Sequence, residues 1–125
     1  MIFTIPGRLS GLNEYTNANR RNAHEGANLK RENQNIVQWA IRGGKLKKID
    51  KYPVELNITW YEPNSRRDID NVTFAVKFIL DALVVMGILE NDSQKYVKRI
   101  NNIVLVDKKN SRIEVEIKPI ENDLD

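Results

Sequence analysis

The chain has 125 residues, of which 41% are hydrophobic and 30% are charged, a balance typical of one soluble globular domain spanning residues 1–125. It has no cysteine, which excludes disulfide bridges and cysteine-ligated zinc, and its longest apolar stretch is shorter than the roughly 20 residues that a membrane span needs. The formal net charge of +3 is uneven, because residues 1–51 hold ten basic and four acidic residues, which indicates either a polyanionic partner or a solvated basic surface.

The first half of the chain is predicted to form a strand, a loop and a helix. Residues 2–5 are typical of a short strand ended by a Pro-Gly pair, and residues 8–19, rich in glycine and asparagine, of a loop. An imperfect apolar periodicity predicts a helix over residues 20–41, ended by a Gly-Gly pair. The N-terminal segment lacks the basic lead and long apolar run of a secretory signal, so we expect a cytoplasmic protein.

The second half of the chain has clearer patterns. Residues 54–61, VELNITWY, alternate between apolar and polar side chains and predict a half-buried strand. An almost wholly apolar helix is predicted from about residue 70 to 86, with Gly87 at its C-terminal cap. Residues 96–106 and 112–118 are predicted to be two strands joined by a turn.

These elements give the order β-α-β-α-β-β and predict a small mixed sheet with two helices packed on it, an α/β (α+β) fold. Trp39 and Trp60 lie in patterned segments and are expected in the core. The acidic end of the chain, about residues 119–125, is predicted to be a frayed tail.

Two aspartates stand one residue apart where the strand at residues 54–61 gives way to the apolar helix, in the run RRDIDN at 66–71. Taken singly, Asp68 fits a turn residue and Asp70 a helix cap. Taken together, two carboxylates about 4 Å apart repel by roughly 4 kcal/mol at an effective dielectric constant of 20, and a divalent cation removes that repulsion. Oxygen ligands favour Mg²⁺ or Mn²⁺ over zinc.

The apolar helix also carries a narrow polar stripe. Lys77 and Asp81 are four residues apart and therefore lie on one face. They are interpreted either as a structural ion pair or as groups that face a cleft. Asp92 follows the helix. It can join the acidic pair only if the fold brings its loop back to the start of that helix, where Asp68 and Asp70 lie.

Three runs, RRDIDN at 66–71, KFILDAL at 77–83 and GILEND at 87–92, together resemble the RusA-type Holliday junction resolvases. The matching block covers about residues 60–95, with a weaker likeness at the start of the chain and in the final hairpin. The resemblance implies a RusA-like fold and a Mg²⁺-dependent endonuclease, with Mn²⁺ as a substitute. It further implies a homodimer that cuts four-way DNA junctions by paired symmetric nicks in recombination and repair.

The resemblance also assigns roles to residues of this chain. The family's three essential carboxylates fall on Asp68, Asp70 and Asp92, as metal ligands and catalytic residues, and its active-site lysine falls on Lys77. Between Asn71 and Lys77 this chain has three more residues than the family pattern, which moves the lysine about 60° around the helix and about 4.5 Å along it.

Basic side chains complete the predicted site. Arg66 and Arg67 are expected to contact DNA phosphates beside the acidic pair, since a guanidinium binds phosphate in bidentate fashion. Lys30 and Arg31 of the first helix are expected to make sequence-independent phosphate contacts. Two alternatives stay open: a metal-dependent nuclease for other branched DNA or RNA, and a non-catalytic DNA-binding module whose carboxylates are caps and ion pairs.

Overall fold

The structure, a computed structural model, describes residues 1–121. Its elements in chain order are β1 (Ile2–Pro6), α1 (Leu12–Arg21), α2 (Ala23–Gly44), β2 (Val54–Glu62), α3 (Ile69–Thr73), α4 (Val76–Val85), β3 (Val97–Val106) and β4 (Arg112–Pro119). Of the predicted tail, Pro119 ends β4 and the Ile120 amide donates to the Pro53 carbonyl at 2.9 Å, while residues 122–125 lie outside the described residues.

The four strands form one mixed sheet in the order β1-β4-β2-β3. Strand β4 is antiparallel to both β1 and β2, whereas β2 and β3 are parallel and are joined by the α3–α4 crossover. The predicted class, a small mixed sheet with helices packed on it, is confirmed. Among the described residues, no helix is long and apolar enough to cross a membrane.

Strand β2 is the centre of the core, and its alternation is confirmed. Val54, Leu56, Ile58 and Trp60 are buried, whereas the residues between them are only partly buried. Trp60 is 2% exposed, and its indole Nε1 donates to the Asn102 Oδ1 at 2.9 Å, which satisfies the polar end of a buried ring. The prediction of a core position for Trp60 is therefore confirmed.

The prediction of a loop over residues 8–19 is wrong, because α1 begins at Leu12. Only Leu12, Tyr15 and Ala18 of its ten residues are apolar, and of these Ala18 alone is fully buried, so the apolar face of α1 is too sparse to identify a helix in the sequence. Asn22 ends α1, and its Oδ1 accepts a hydrogen bond from the Glu25 amide at 2.8 Å, which caps α2. Two helices thus occupy the region where one was predicted.

The prediction of a core position for Trp39 is also wrong, since this side chain is 64% exposed. The buried face of α2 is set by Val37, Ala40 and Ile41. Residue 39 is two positions after Val37, about 200° around the helix, and so it faces away from the sheet.

The predicted helix over residues 70–86 is interrupted at Phe74 and Ala75, which separates the short α3 from α4. Gly87 ends α4 as predicted, with φ +73°. Its amide donates to the Val84 carbonyl at 3.0 Å and the Ile88 amide to the Leu83 carbonyl at 3.0 Å, which is the Schellman arrangement. This turn directs the chain into the loop that carries Asp92.

Candidate functional site

The two adjacent aspartates lie on the surface where β2 leads into α3. Asp68 occupies the N-cap position of α3, but its side chain makes no capping hydrogen bond. Asp70 lies in the first turn, where its Oδ1 accepts from the amide of Asn71 at 3.0 Å. Both aspartates are exposed. Their side chains are thus accessible to a ligand, and capping does not account for Asp68.

Arg67, on the N-terminal side of this pair, points into the protein. Its guanidinium forms a bidentate pair with Glu62, at 2.9 Å from Nε to Oε1 and 2.9 Å from Nη2 to Oε2. Arg8 adds a contact from Nη2 to Oε1 at 2.9 Å, and Arg67 Nη1 donates to the Leu9 carbonyl at 3.2 Å. Only 15% of the Arg67 side chain and 5% of the Glu62 side chain are exposed. The guanidinium predicted to contact phosphate is therefore engaged within the protein.

Asn71, on the other side of the pair, is fixed against α1. Its Oδ1 accepts the amide of Asn13 at 2.9 Å, which satisfies a free donor of the first turn of α1. A Cβ added at Gly11 would lie 2.5 Å from Asn71 Oδ1 and 2.7 Å from the Asn71 carbonyl oxygen. Glycine at position 11 thus permits the close approach that holds Asn71, and residues 67–71 are anchored at both ends.

The Glu62 network predicts a pH-dependent contribution to stability. Burial by itself raises the pKa of Glu62, but hydrogen bonds and charge from Arg67 and Arg8 outweigh burial and leave the pKa below its ordinary value of 4.5. A carboxylate whose pKa is lower in the folded state stabilises the protein above its unfolded-state pKa, and this stability is lost as pH falls through the folded-state pKa.

We therefore expect the free energy of unfolding of the wild type to fall more steeply below pH 4.5 than that of Glu62→Gln, whose side chain does not titrate. Urea unfolding at a series of pH values measures both curves. Parallel curves through this range would show that Glu62 has the same pKa in the folded and unfolded chains.

Asp92 lies in a different place from Asp68 and Asp70. It lines a cavity of about 440 Å³ together with Lys30, Gln34, Asp81, Val84, Val85 and Asn91. The Asp81 carboxylate accepts a hydrogen bond from Gln34 Nε2 at 3.2 Å. The fold thus brings Asp92 together with Asp81 and Lys30 beside the C-terminal half of α4. Lys30 is one of the residues predicted to contact phosphate.

The topology of the crossover separates the two acidic regions within one chain. Asp68 and Asp70 follow the C-terminal end of β2, whereas Asp92 precedes the N-terminal end of β3, which is parallel to β2. A nine-residue strand such as β2 is about 30 Å long, so the two ends of the crossover are remote. Within residues 1–121, no group of three or more His, Cys, Asp or Glu side chains is arranged to hold a metal ion.

The remaining predicted side chains are mostly exposed. Lys77 is exposed in the first turn of α4, and the described residues show no ion pair between it and Asp81. Arg66 is exposed, and its backbone amide donates to Asn64 Oδ1 at 3.0 Å. Arg31 is exposed on α2 and donates to Asn28 Oδ1 at 2.9 Å.

The residues that support the acidic pair were not predicted from the sequence. Glu62 is two residues after Trp60 and therefore lies on the buried face of β2. A carboxylate at a buried position indicates that a charged partner lies nearby. Asn71 and Gly11 gave no such signal, because their contact joins segments far apart in the chain.

No protein-family description matches this chain, and a search of curated proteins finds no match either. The resemblance to the RusA-type resolvases therefore depends on the motif residues alone, and the function of the chain is a matter for proposal.

Proposed function

We propose that the protein is a Mg²⁺-dependent endonuclease that resolves four-way DNA junctions by paired symmetric nicks. The observation that carries this proposal is the exposed pair Asp68 and Asp70, held between the inward-pointing Arg67 and Asn71. Proteins commonly hold Mg²⁺ by one or two carboxylates, with water and substrate phosphate completing the coordination. An exposed pair at a helix start, flanked on both sides by anchored residues, fits that pattern of ligands.

The residues around the pair have complementary roles in this proposal. Asp68 and Asp70 hold the ion, which when bound lowers the pKa of a coordinated water and polarises the scissile phosphate. Arg66, whose guanidinium is exposed, contacts a neighbouring phosphate. Lys77 neutralises charge that develops on the phosphate during hydrolysis. Arg67 is reassigned from phosphate contact to anchoring, since Glu62 engages its guanidinium.

In this proposal, a second copy of the chain is needed to bring an Asp92 carboxylate to the acidic pair. Because the crossover separates Asp92 from the pair within one protomer, we assign the third carboxylate to the partner in a twofold homodimer. Such a dimer has two equivalent sites, which matches the two symmetric scissile strands of a four-way junction. Mixing Asp70→Asn and Asp92→Asn protomers tests this assignment, because a mixed dimer regains one intact site.

A non-catalytic DNA-binding module is the second candidate. It is favoured by the finding that the described residues of a single chain do not bring three metal-binding side chains together. In this alternative the basic residues bind phosphates and the exposed aspartates have no catalytic role.

Cleavage assays separate these functions. The protein is incubated with a four-way junction, a linear duplex or a structured RNA, with Mg²⁺ or with EDTA. The proposal expects paired nicks in the junction with Mg²⁺ and none with EDTA. Preferential cutting of duplex or RNA would indicate a nuclease of another class. Binding to DNA without any cleavage would favour the non-catalytic module.

A further inference from the structure

A second cavity, of about 310 Å³, lies where the connection between α2 and β2 meets the end of β4. Four lysines line it, Lys47, Lys48, Lys51 and Lys118, and the acidic residue in its lining is Asp50. The four lysine side chains are exposed. The cavity is therefore strongly basic.

A cluster of positive charge lies at this cavity. The four lysines and Asp50 together have a formal net charge of +3. Among residues 1–121, no carboxylate lies within ion-pair distance of any of the four ammonium groups. This charge is available to attract a polyanion.

The cavity is built on the core of the protein. Ile49, Val54 and Ile117 also line it and are 8%, 0% and 3% exposed. The Ile49 amide donates to the Ile88 carbonyl at 2.9 Å, which ties the lysine-rich connection to the turn after α4. The lysines are thus presented by a backbone that packing and hydrogen bonding hold in place.

The same connection supports the loop that carries Asp92. The Tyr52 hydroxyl accepts a hydrogen bond from the Glu90 amide at 2.9 Å, two residues before Asp92. The Tyr52 and Tyr96 rings pack edge to face, with centroids 5.1 Å apart, at the other end of this loop. The basic cavity and Asp92 therefore lie at the same end of the sheet.

We propose that this cavity binds phosphate oxygens of the DNA backbone and guides a DNA strand toward Asp92. Lysine ammonium groups bind phosphate as point charges without reading base sequence, which suits a substrate recognised by its branching. The proposal rests on the proposed function in DNA cleavage, to which it adds a substrate-binding site.

The salt dependence of DNA binding tests this site. Each lost phosphate contact lowers the slope of log Kd against log salt concentration by about 0.9, so the double variant Lys47→Gln/Lys51→Gln should lower it by about 1.8. Fluorescence anisotropy with a labelled four-way junction measures the slope. The matched control is Lys108→Gln/Lys109→Gln, which removes the same charge from the turn between β3 and β4.

A slope that falls in the cavity variant and not in the control supports the site. An unchanged slope in the cavity variant, or an equal fall in both variants, overturns it. Junction cleavage by the wild type separates the two proposals: binding without cleavage removes the nuclease assignment and leaves the cavity result intact, whereas cleavage with unchanged slopes removes only the cavity site. Failure of the wild type to bind DNA would overturn both.

Discussion

Replacing Asp70 by asparagine is expected to lower the rate of junction cleavage by roughly 100-fold or more, because residues that only orient metal ligands already change affinity or activity by 10–100-fold. Asparagine keeps the size of the side chain and removes its charge. Binding to the junction should be retained or become tighter, because one repulsion with the DNA phosphates is lost. Cleavage is measured at saturating protein, and binding by fluorescence anisotropy in EDTA.

The control for this variant is Glu32→Gln, which removes the same charge from an exposed position on α2. It should cleave and bind as the wild type does. If Asp70→Asn cleaved normally, the acidic pair would have no catalytic role. If it lost folding and DNA binding together, Asp70 would be a structural residue.

Replacing Arg67 by alanine is expected to lower the free energy of unfolding by about 3 kcal/mol, the lower end of the range for breaking a buried ion pair, since Arg8 still neutralises Glu62. Urea unfolding measures the loss. The matched variant is Arg66→Ala, one residue earlier and exposed, which should change stability by less than about 0.5 kcal/mol and weaken DNA binding.

The pair of variants separates anchoring from phosphate contact at two adjacent arginines. If Arg67→Ala were as stable as the wild type and bound DNA weakly, Arg67 would be the phosphate contact that the sequence suggests. If Arg66→Ala bound DNA normally, the exposed guanidinium would have no part in substrate binding.

The fold was predictable where side-chain patterns are strong. Strand β2 has a clean period of two, and Gly87 supplies the positive φ that ends α4, so both were predicted correctly. Helix α1 was missed because its residues are nearly all polar or exposed. Its position depends instead on tertiary contacts, such as those of Tyr15 with Phe74 and Phe78 and of its first turn with Asn71, which no local pattern encodes.

The candidate site was predictable only in part, for a related reason. Asp68 and Asp70 are close in sequence and share one helix start, so local geometry suffices to place them together. The position of Asp92 depends on the crossover, which sets it at the opposite end of a parallel strand pair. Arg67 and the adjacent Arg66 differ in role because Glu62, at the end of β2, binds the Arg67 guanidinium and leaves that of Arg66 exposed.

Titration of the protein with Mn²⁺, followed by electron paramagnetic resonance of the free ion, tests most directly whether the acidic pair holds a divalent cation. The wild type should bind the ion, and Asp68→Asn/Asp70→Asn should weaken binding by roughly 10-fold or more while Glu32→Gln leaves it unchanged. Equal Mn²⁺ affinity in the wild type and the double variant would contradict a metal site at this pair, and with it the proposed nuclease chemistry.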